Sequence, residues 1–320
     1  MKRFTLKRPA GFSLDAHAQF YATFTPGSGM AAAAAGTGQL TFTFRLDGTF
    51  EATAAVLREE GDALTLEVEG PKEPEVALRQ VERILGLECD GEAWLALGRK
   101  DRVVGALQRQ CPGFYTATFP SPYDAAAWDM FSHRTPQQRA VTLKTAFAHE
   151  HGDVVKLAGV HHVFPGPQKV LQVASFPGLS DEKLARMHAV ARAALEGRLD
   201  ADRLRAMPEA AALADLEEIR GVGEWTSNHV LKRGAGPPDA PPTTTPAVCA
   251  LVGELAGLDH TPSGDEVLAL AEGWRPFRMW VTVMLARALV DRGGWKMTAA
   301  QLKQAKPQRR GHRARGPVSA

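Results

Sequence analysis

The sequence predicts an α+β fold, in which an N-terminal antiparallel β-sheet with helix is followed by an all-α core. In residues 1–105, the segments 41–46 and 63–68 alternate in the manner of strands, and Asp47-Gly48 and Gly61-Asp62 supply turn signals. From about residue 106 the apolar residues recur with helical spacing. A chain of 320 residues with 44% hydrophobic content can bury a core large enough for two or three subdomains.

Three parts follow from these changes of pattern. We expect a sheet domain at 1–105 that contains one helix at 75–85, a helical core at 106–295, and a basic disordered tail at 296–320. The alanine run at 31–35, flanked by glycines, predicts a loop. Ser263 and Glu266 form a capping-box pattern that predicts the start of a late helix.

The most informative segment, 216–226, reads as two helices joined by a glycine hairpin. Leu216 and Ile219 share one face of the first helix, and the second helix is predicted to start near Glu224. Free N–H groups at such a helix start can hold a DNA phosphate without reading a base. Predicted DNA contacts are therefore Arg220, Gly221, Val222, Gly223 and Thr226, with both glycines permitting backbone geometry that a Cβ would obstruct. The alternative is a plain helix–Gly–helix connection.

Four ordered segments extend this pattern over roughly residues 110–290. They are the hairpin with its continuation to Asp239, and the stretches 120–135, 176–199 and 274–280. Together they resemble the helix-hairpin-helix DNA glycosylase superfamily, specifically its alkylpurine branch of the DNA-3-methyladenine glycosylase II type. The resemblance implies a base-excision-repair enzyme that flips an alkylated purine out of double-stranded DNA and hydrolyses its N-glycosidic bond.

A flipped base needs a surface on which to stack, and the residues assigned to this base pocket are Trp225, Trp128 and Tyr123. Trp225 stands where lyase-competent relatives carry a Schiff-base lysine, so the resemblance implies monofunctional hydrolysis by water. The alternative for each of these aromatic residues is a place in the core. A side chain must fill the gap that the flipped base leaves in the DNA stack, and this wedge role is assigned to His133 or Arg134. At this position the family more usually has a glutamine and an apolar wedge. Two solvated polar residues at a helix end are the alternative.

The catalytic carboxylate of the family is missing. Matching Asp239 to the family's outer acid puts Thr245 at the position of the catalytic aspartate, and a neutral hydroxyl cannot offset the positive charge that develops on the sugar. Four explanations stay open. A weakened site suffices for cationic purines, a nearby acid (Asp239 or Glu254) substitutes, the protein binds lesions without cutting, or the register of the match is wrong. Asp239 could also be an ordinary turn aspartate.

Charge and composition set the remaining expectations. The tail at 296–320 holds seven of the 38 basic residues and no acid, which leaves 31 basic and 36 acidic residues in the body. Such a tail predicts either added phosphate attraction or a merely solubilising terminus. Three scattered cysteines give neither a disulfide framework nor an iron–sulfur cluster, and no metal site formed by side chains is expected. We expect no cofactor beyond a monovalent cation on hairpin carbonyls, a monomer, no membrane segment, and a cytoplasmic, nucleoid-associated location.

Overall fold

The computed structural model describes residues 1–23, 31–34 and 37–292; the predicted tail at 296–320 lies outside this range. The strands are β1 (Lys2–Lys7), β2 (Ala31–Ala34), β3 (Gln39–Arg45), β4 (Ala52–Glu60), β5 (Ala63–Glu69), β6 (Asp153–Val155) and β7 (His161–Val163). The helices are α1 (Leu14–Thr23), α2 (Pro74–Leu85), α3 (Gly91–Lys100), α4 (Arg102–Gln110), α5 (Pro122–Ser132), α6 (Gln137–His151), α7 (Pro167–Gln172), α8 (Asp181–Leu195), α9 (Ala201–Ala206), α10 (Glu209–Glu217), α11 (Glu224–His229), α12 (Pro246–Ala256), α13 (Gly264–Ala271) and α14 (Arg278–Asp291). A π-helical turn at Val230–Ala235 continues α11, and a 3₁₀ turn at Glu272–Trp274 precedes α14.

The N-terminal sheet has five antiparallel strands in the order β1-β5-β4-β3-β2, which confirms the predicted α+β class. The prediction of a loop at 31–35 is wrong, because 31–34 form β2 and pair with β3. Alanine has little intrinsic preference for strands, so the sequence alone carried no signal. The strand β2 forms because its backbone pairs with the backbone of β3, and this pairing does not depend on the side chains.

The helix predicted at 75–85 is confirmed by α2, but α1 and α3 were not predicted. In α1, the buried residues Leu14, Ala18 and Tyr21 follow helical spacing, and the buried His17 between them hides that pattern. The capping box is present, since the Ser263 hydroxyl accepts the Glu266 N–H and the Glu266 carboxylate accepts the Ser263 N–H.

The buried apolar side chains form two main clusters. The first cluster joins the sheet, α2 and α4 to the late helices α12 and α14, and its members come from 12–117 and 240–289. The second cluster draws all its buried members from 119–235, which include α5, α8 and the hairpin. The boundary predicted near residue 105 stays a prediction, whereas the packing changes at 117–119 and again at 235–240.

The chain crosses between the two clusters twice, at neighbouring places. Phe119 N–H donates to the carbonyl oxygen of Arg233 at 2.8 Å, so the outgoing and returning segments are bonded to each other. Gly236 lies against Thr118 in the same region, with a left-handed φ of 65°. Among the described residues, every helix is too short or too polar to reach across a lipid bilayer.

Candidate active site and DNA-facing hairpin

The hairpin between α10 and α11 is shaped by buried apolar side chains. Leu216, Ile219 and Val222 all belong to the second cluster. Ile219 N–H donates to the Leu216 carbonyl at 3.1 Å, and Val222 N–H donates to the Ile219 carbonyl at 2.9 Å. Val222 was predicted as a DNA contact, but its side chain is in the core and its N–H is used within the turn. Its role is to fix the shape of the hairpin.

The two hairpin glycines are required for different reasons. Gly221 has a φ of 91°, and a Cβ there would meet the Arg186 side chain at 2.7 Å. Gly223 has an ordinary φ of −111°, and a Cβ would meet no atom within 4 Å. The expectation that a Cβ would be obstructed therefore holds for Gly221 and is wrong for Gly223 within the protein itself. A glycine at 223 instead leaves the backbone open to an approaching molecule.

The helix start after Gly223 presents backbone donors. The N–H groups of Gly223, Glu224, Trp225 and Thr226 have no acceptor within the helix, because the first four N–H groups of a helix precede the repeating pattern. Glu224 is an acid in this first turn, and Thr226 is half-buried beside it. The arrangement can hold an anion, with the exposed carboxylate of Glu224 as its competitor.

We expect Gly223→Leu to weaken binding to damaged and undamaged duplexes by a similar factor, because a backbone contact to phosphate carries no sequence information. Its free energy of unfolding should fall by no more than about 1 kcal/mol, since the new side chain meets open space. Fluorescence anisotropy at fixed salt measures the binding. Gly273→Leu is the matched control, because Gly273 is also exposed, with no atom near its Cβ position. If Gly223→Leu and the unmodified protein bind DNA with equal affinity, the hairpin backbone does not contact DNA at this position.

Basic side chains surround the hairpin, although most are already paired. Arg220 is exposed and donates to Glu182 at 2.8 Å, and Arg186 donates to the same carboxylate at 2.9 Å while covering Gly221. Lys183 donates to the Phe131 carbonyl at 2.9 Å and also to Thr135 in the turn after α5. The first turn of α8 thus joins the hairpin to the end of α5.

The residues predicted to enter the DNA stack lie in that turn after α5. His133 ends the helix, and Arg134 adopts a left-handed φ of 48°, which is uncommon for a residue with a Cβ. Both side chains are exposed. Partial burial lowers the pKa of His133, and the charges of Arg186 and Arg134 act in the same direction. The turn is therefore a fixed, exposed projection beside the hairpin, and its wedge role stays a prediction.

Trp225 is the exposed aromatic residue of the site, with 67% of its surface accessible. Its indole stacks on the His229 ring one helical turn later, with the ring centroids 5.0 Å apart and the planes inclined by 23°. His229 Nδ1 lies 3.0 Å from Asp129 Oδ2, in α5. An indole that is supported on one face and accessible elsewhere is suited to stack a base.

The other two aromatic residues assigned to the base pocket are in the core. Tyr123 is fully buried, and its hydroxyl donates to the Pro165 carbonyl at 2.9 Å. Trp128 is 5% exposed and belongs to the second cluster. A ring this deeply buried offers no free face to a flipped base. These contacts favour the core alternative for both residues.

Thr245 is the exposed N-cap of α12. Its hydroxyl oxygen accepts the Val248 N–H at 3.3 Å, which is the usual contact of a threonine in this position. The residue stands at a helix start and carries no charge of its own. The structure is thus compatible with the predicted equivalence to a catalytic aspartate, because an aspartate can occupy an N-cap with the same hydrogen bond.

Asp239 is held by arginines. Arg278 Nε donates to Asp239 Oδ1 at 2.7 Å, and Arg275 donates to Oδ2. Arg278 also donates to the Asp239 carbonyl oxygen at 2.7 Å, and its own side chain is almost fully buried. Since both carboxylate oxygens already serve in ion pairs, these contacts favour a structural aspartate over a substitute catalytic group.

No group of three His, Cys, Asp or Glu side chains is placed to bind a metal ion within the described ranges. The monovalent cation on hairpin carbonyls stays a prediction. Sequence reasoning missed Asp129 and His229, which the structure brings to Trp225. The available signal was a second acid inside the largely apolar helix α5, together with a histidine four residues after Trp225.

Known proteins resemble this chain in sequence and in fold. No protein-family model matches the chain. A curated DNA-3-methyladenine glycosylase of Bacillus subtilis (strain 168) is 25% identical over 221 residues, which cover 67% of this chain and 73% of that protein. A solved 3-methyladenine DNA glycosylase from Archaeoglobus fulgidus covers 92% of this chain and 100% of its own, with a TM-score of 0.71 and 21% identity.

A second solved structure is the 8-oxoguanine glycosylase/lyase of Clostridium acetobutylicum in complex with double-stranded DNA, which covers 88% of this chain and 93% of its own, with a TM-score of 0.60 and 13% identity. The fold is thus that of the DNA glycosylases built on a helix-hairpin-helix. The similarity to these glycosylases in sequence and in fold supports the resemblance to the helix-hairpin-helix DNA glycosylase superfamily that the motifs predicted.

Proposed function

We propose that the protein is a monofunctional DNA glycosylase of base excision repair that flips alkylated purines of the 3-methyladenine type out of double-stranded DNA and hydrolyses the N-glycosidic bond. The observation that carries the proposal is the exposed ring of Trp225 directly after the hairpin, where a flipped base can stack. The names of the relatives support the alkylpurine class. We further propose that the protein acts as a cytoplasmic, nucleoid-associated monomer.

Hydrolysis by water is favoured over amine attack because an indole has no nucleophilic nitrogen. The lysines near the hairpin have other partners: Lys183 donates to the turn after α5, and Lys232 pairs with Glu209 at 3.5 Å. A cationic purine is a good leaving group, because it departs as a neutral base. Within this proposal the protein therefore has to bind and orient the nucleotide more than activate it.

The direct test is release of free base from duplex DNA that carries 3-methyladenine or 7-methylguanine, measured chromatographically against undamaged DNA. Enzyme-dependent release supports the proposal. The second candidate function is a damaged-DNA-binding protein without catalysis, and the observation that favours it is the uncharged Thr245. Tight, lesion-selective binding with no release would establish that candidate instead.

We expect no covalent adduct with DNA on borohydride treatment, because Trp225 stands where a Schiff-base lysine would be needed. Denaturing electrophoresis after reduction measures the adduct. A lyase-competent glycosylase serves as the positive control for trapping. Appearance of a trapped complex would contradict the monofunctional proposal even if base release were observed.

A further inference from the structure

A buried acid lies behind the exposed indole. Asp129, in α5, is 2% exposed, and its one hydrogen-bond donor within the described residues is His229. Nδ1 of His229 is hydrogen-bonded to Oδ2 at 3.0 Å, whereas Oδ1, 2.9 Å from the same nitrogen, is buried with no hydrogen-bond partner among the described residues. A buried carboxylate usually has several donors, and one with so few calls for a functional explanation.

His229 connects that carboxylate to Trp225. The edge of Phe119 meets one side of its ring at 5.3 Å, and the Trp225 indole stacks on its face at 5.0 Å. The side chain is 19% exposed, and Nε2 has no hydrogen-bond partner in the described residues and is not fully enclosed. The order from the interior outward is therefore carboxylate, imidazole, indole and solvent.

The net charge of this pair depends on the protons it holds, and it is +1 only when the carboxyl and the imidazole are both protonated. When Asp129 and His229 hold one proton between them, their net charge is zero, and when that proton leaves, it is −1. Burial raises the pKa of Asp129, and the facing His229 opposes that rise.

The ring electrons of Trp225 are shared between its two faces. A cation attracted to the outer face would compete with an imidazolium on the inner face, whereas a neutral imidazole leaves the attraction intact. The carboxylate behind the imidazole adds a direct attraction across a region of low dielectric constant. A neutral base gains from the ring alone.

We propose that Asp129 and His229 are positioning residues that hold Trp225 and make it selective for a cationic purine over a neutral one of the same shape. The inference rests on the proposed function and adds to it the physical basis of lesion choice. It concerns binding of the flipped base, and it leaves the identity of the group that activates water to other residues.

The test compares three duplexes of identical sequence. One carries 2′-fluoro-7-methyldeoxyguanosine, which is cationic and resists hydrolysis, one carries its neutral 7-deaza-7-methyl counterpart, and one carries unmodified 2′-fluorodeoxyguanosine. The measured quantity is charge selectivity, the ratio of the Kd for the neutral methylated duplex to the Kd for the cationic duplex. The unmodified protein should prefer the cationic duplex.

Asp129→Asn keeps an acceptor for the imidazole and removes the charge, so we expect charge selectivity to fall by at least about fivefold at pH 7.5, with binding to unmodified DNA unchanged. Asp47→Asn is the matched control, because it removes a carboxylate paired with the buried Arg83, away from Trp225. His229→Gln keeps the carboxylate and a donor for Asp129, so it should retain most of the charge selectivity. Circular dichroism and thermal melting check the folding of each variant.

The binding results distinguish a failure of the proposed function from a failure of this inference. If the unmodified protein does not distinguish methylated from unmodified DNA, the proposed function fails. If it prefers methylated DNA but binds the cationic and neutral duplexes equally, or if Asp129→Asn keeps the full ratio, this inference is overturned while the proposed function stands. Should Asp129→Asn not fold, the Kd ratio of His229→Gln decides, because that variant keeps the carboxylate, and loss of the ratio in it would overturn this inference.

Discussion

Replacement of Trp225 by alanine is expected to reduce the affinity for alkylated duplexes by about tenfold to a hundredfold and to leave the affinity for undamaged duplexes almost unchanged. Stacking of a base on an aromatic side chain is worth about 1–3 kcal/mol, and only an extruded base can reach this ring. The loss of stability should be small because most of the indole is exposed. Parallel titrations of damaged and undamaged DNA measure the effect.

Two control variants test whether the effect of Trp225→Ala comes from the loss of base stacking. Trp225→Phe retains an aromatic face and should recover most of the lesion preference. Val160→Ala, at a side chain that is 68% exposed near the β6–β7 hairpin, shows what loss of an exposed apolar group does elsewhere. An equal drop in affinity for damaged and undamaged DNA after Trp225→Ala would mean that the indole contributes to the general DNA contact and not to base recognition.

The substitution Thr245→Asp is expected to raise the rate of base release by at least about tenfold, which corresponds to roughly 1.4 kcal/mol of transition-state stabilisation. A carboxylate at this helix start would face the positive charge that develops on the sugar. Folding should tolerate the change, because the position is exposed and aspartate is as good an N-cap as threonine. Single-turnover release of 7-methylguanine measures the rate.

Charge and capping can be separated at this position. Thr245→Asn also caps the helix but brings no charge, so it should leave the rate near that of the unmodified protein. If Asp239 were the working acid, Asp239→Asn would abolish release and Thr245→Asp would do little. Because Arg278 is buried against Asp239, that variant must be shown to remain folded. A protein in which neither position affects turnover would require a different catalytic group.

The sequence predicted the hairpin and the aromatic residue that follows it, because both depend on residues within one short segment. Glycine spacing, apolar side chains three residues apart and a helix start are local properties. The pairing of Asp129 with His229 joins residues that are 100 positions apart, and only the packing of α5 against α11 brings them together. A polar pair that is inserted in two separate helices leaves no local pattern.

Burial was the second property that the sequence did not decide. Tyr123, Trp128 and Trp225 have similar chemistry, and their side chains differ in exposure from none to 67%. Helix α5 is buried on nearly every side, so its aromatic residues have no free face. Trp225 is in the first turn of a helix, where the chain has just left the core. The exposure of each aromatic ring therefore depends on the surroundings of its helix, which the sequence pattern does not give.

The side-by-side crossings at Phe119 and Gly236 have a mechanical consequence. Trp225 is attached to the cluster formed by 119–235, whereas Thr245 begins a helix that packs in the other cluster. The two crossings are hydrogen-bonded to each other, so a shift of one segment must carry the other with it, and the bond of buried Arg45 to Asp153 also joins the two parts of the fold. A displacement at the crossings would therefore change the distance between the Trp225 ring and the start of α12. Substitutions at the crossings are expected to alter this distance, and Phe119 among them contacts the His229 ring on which Trp225 stacks.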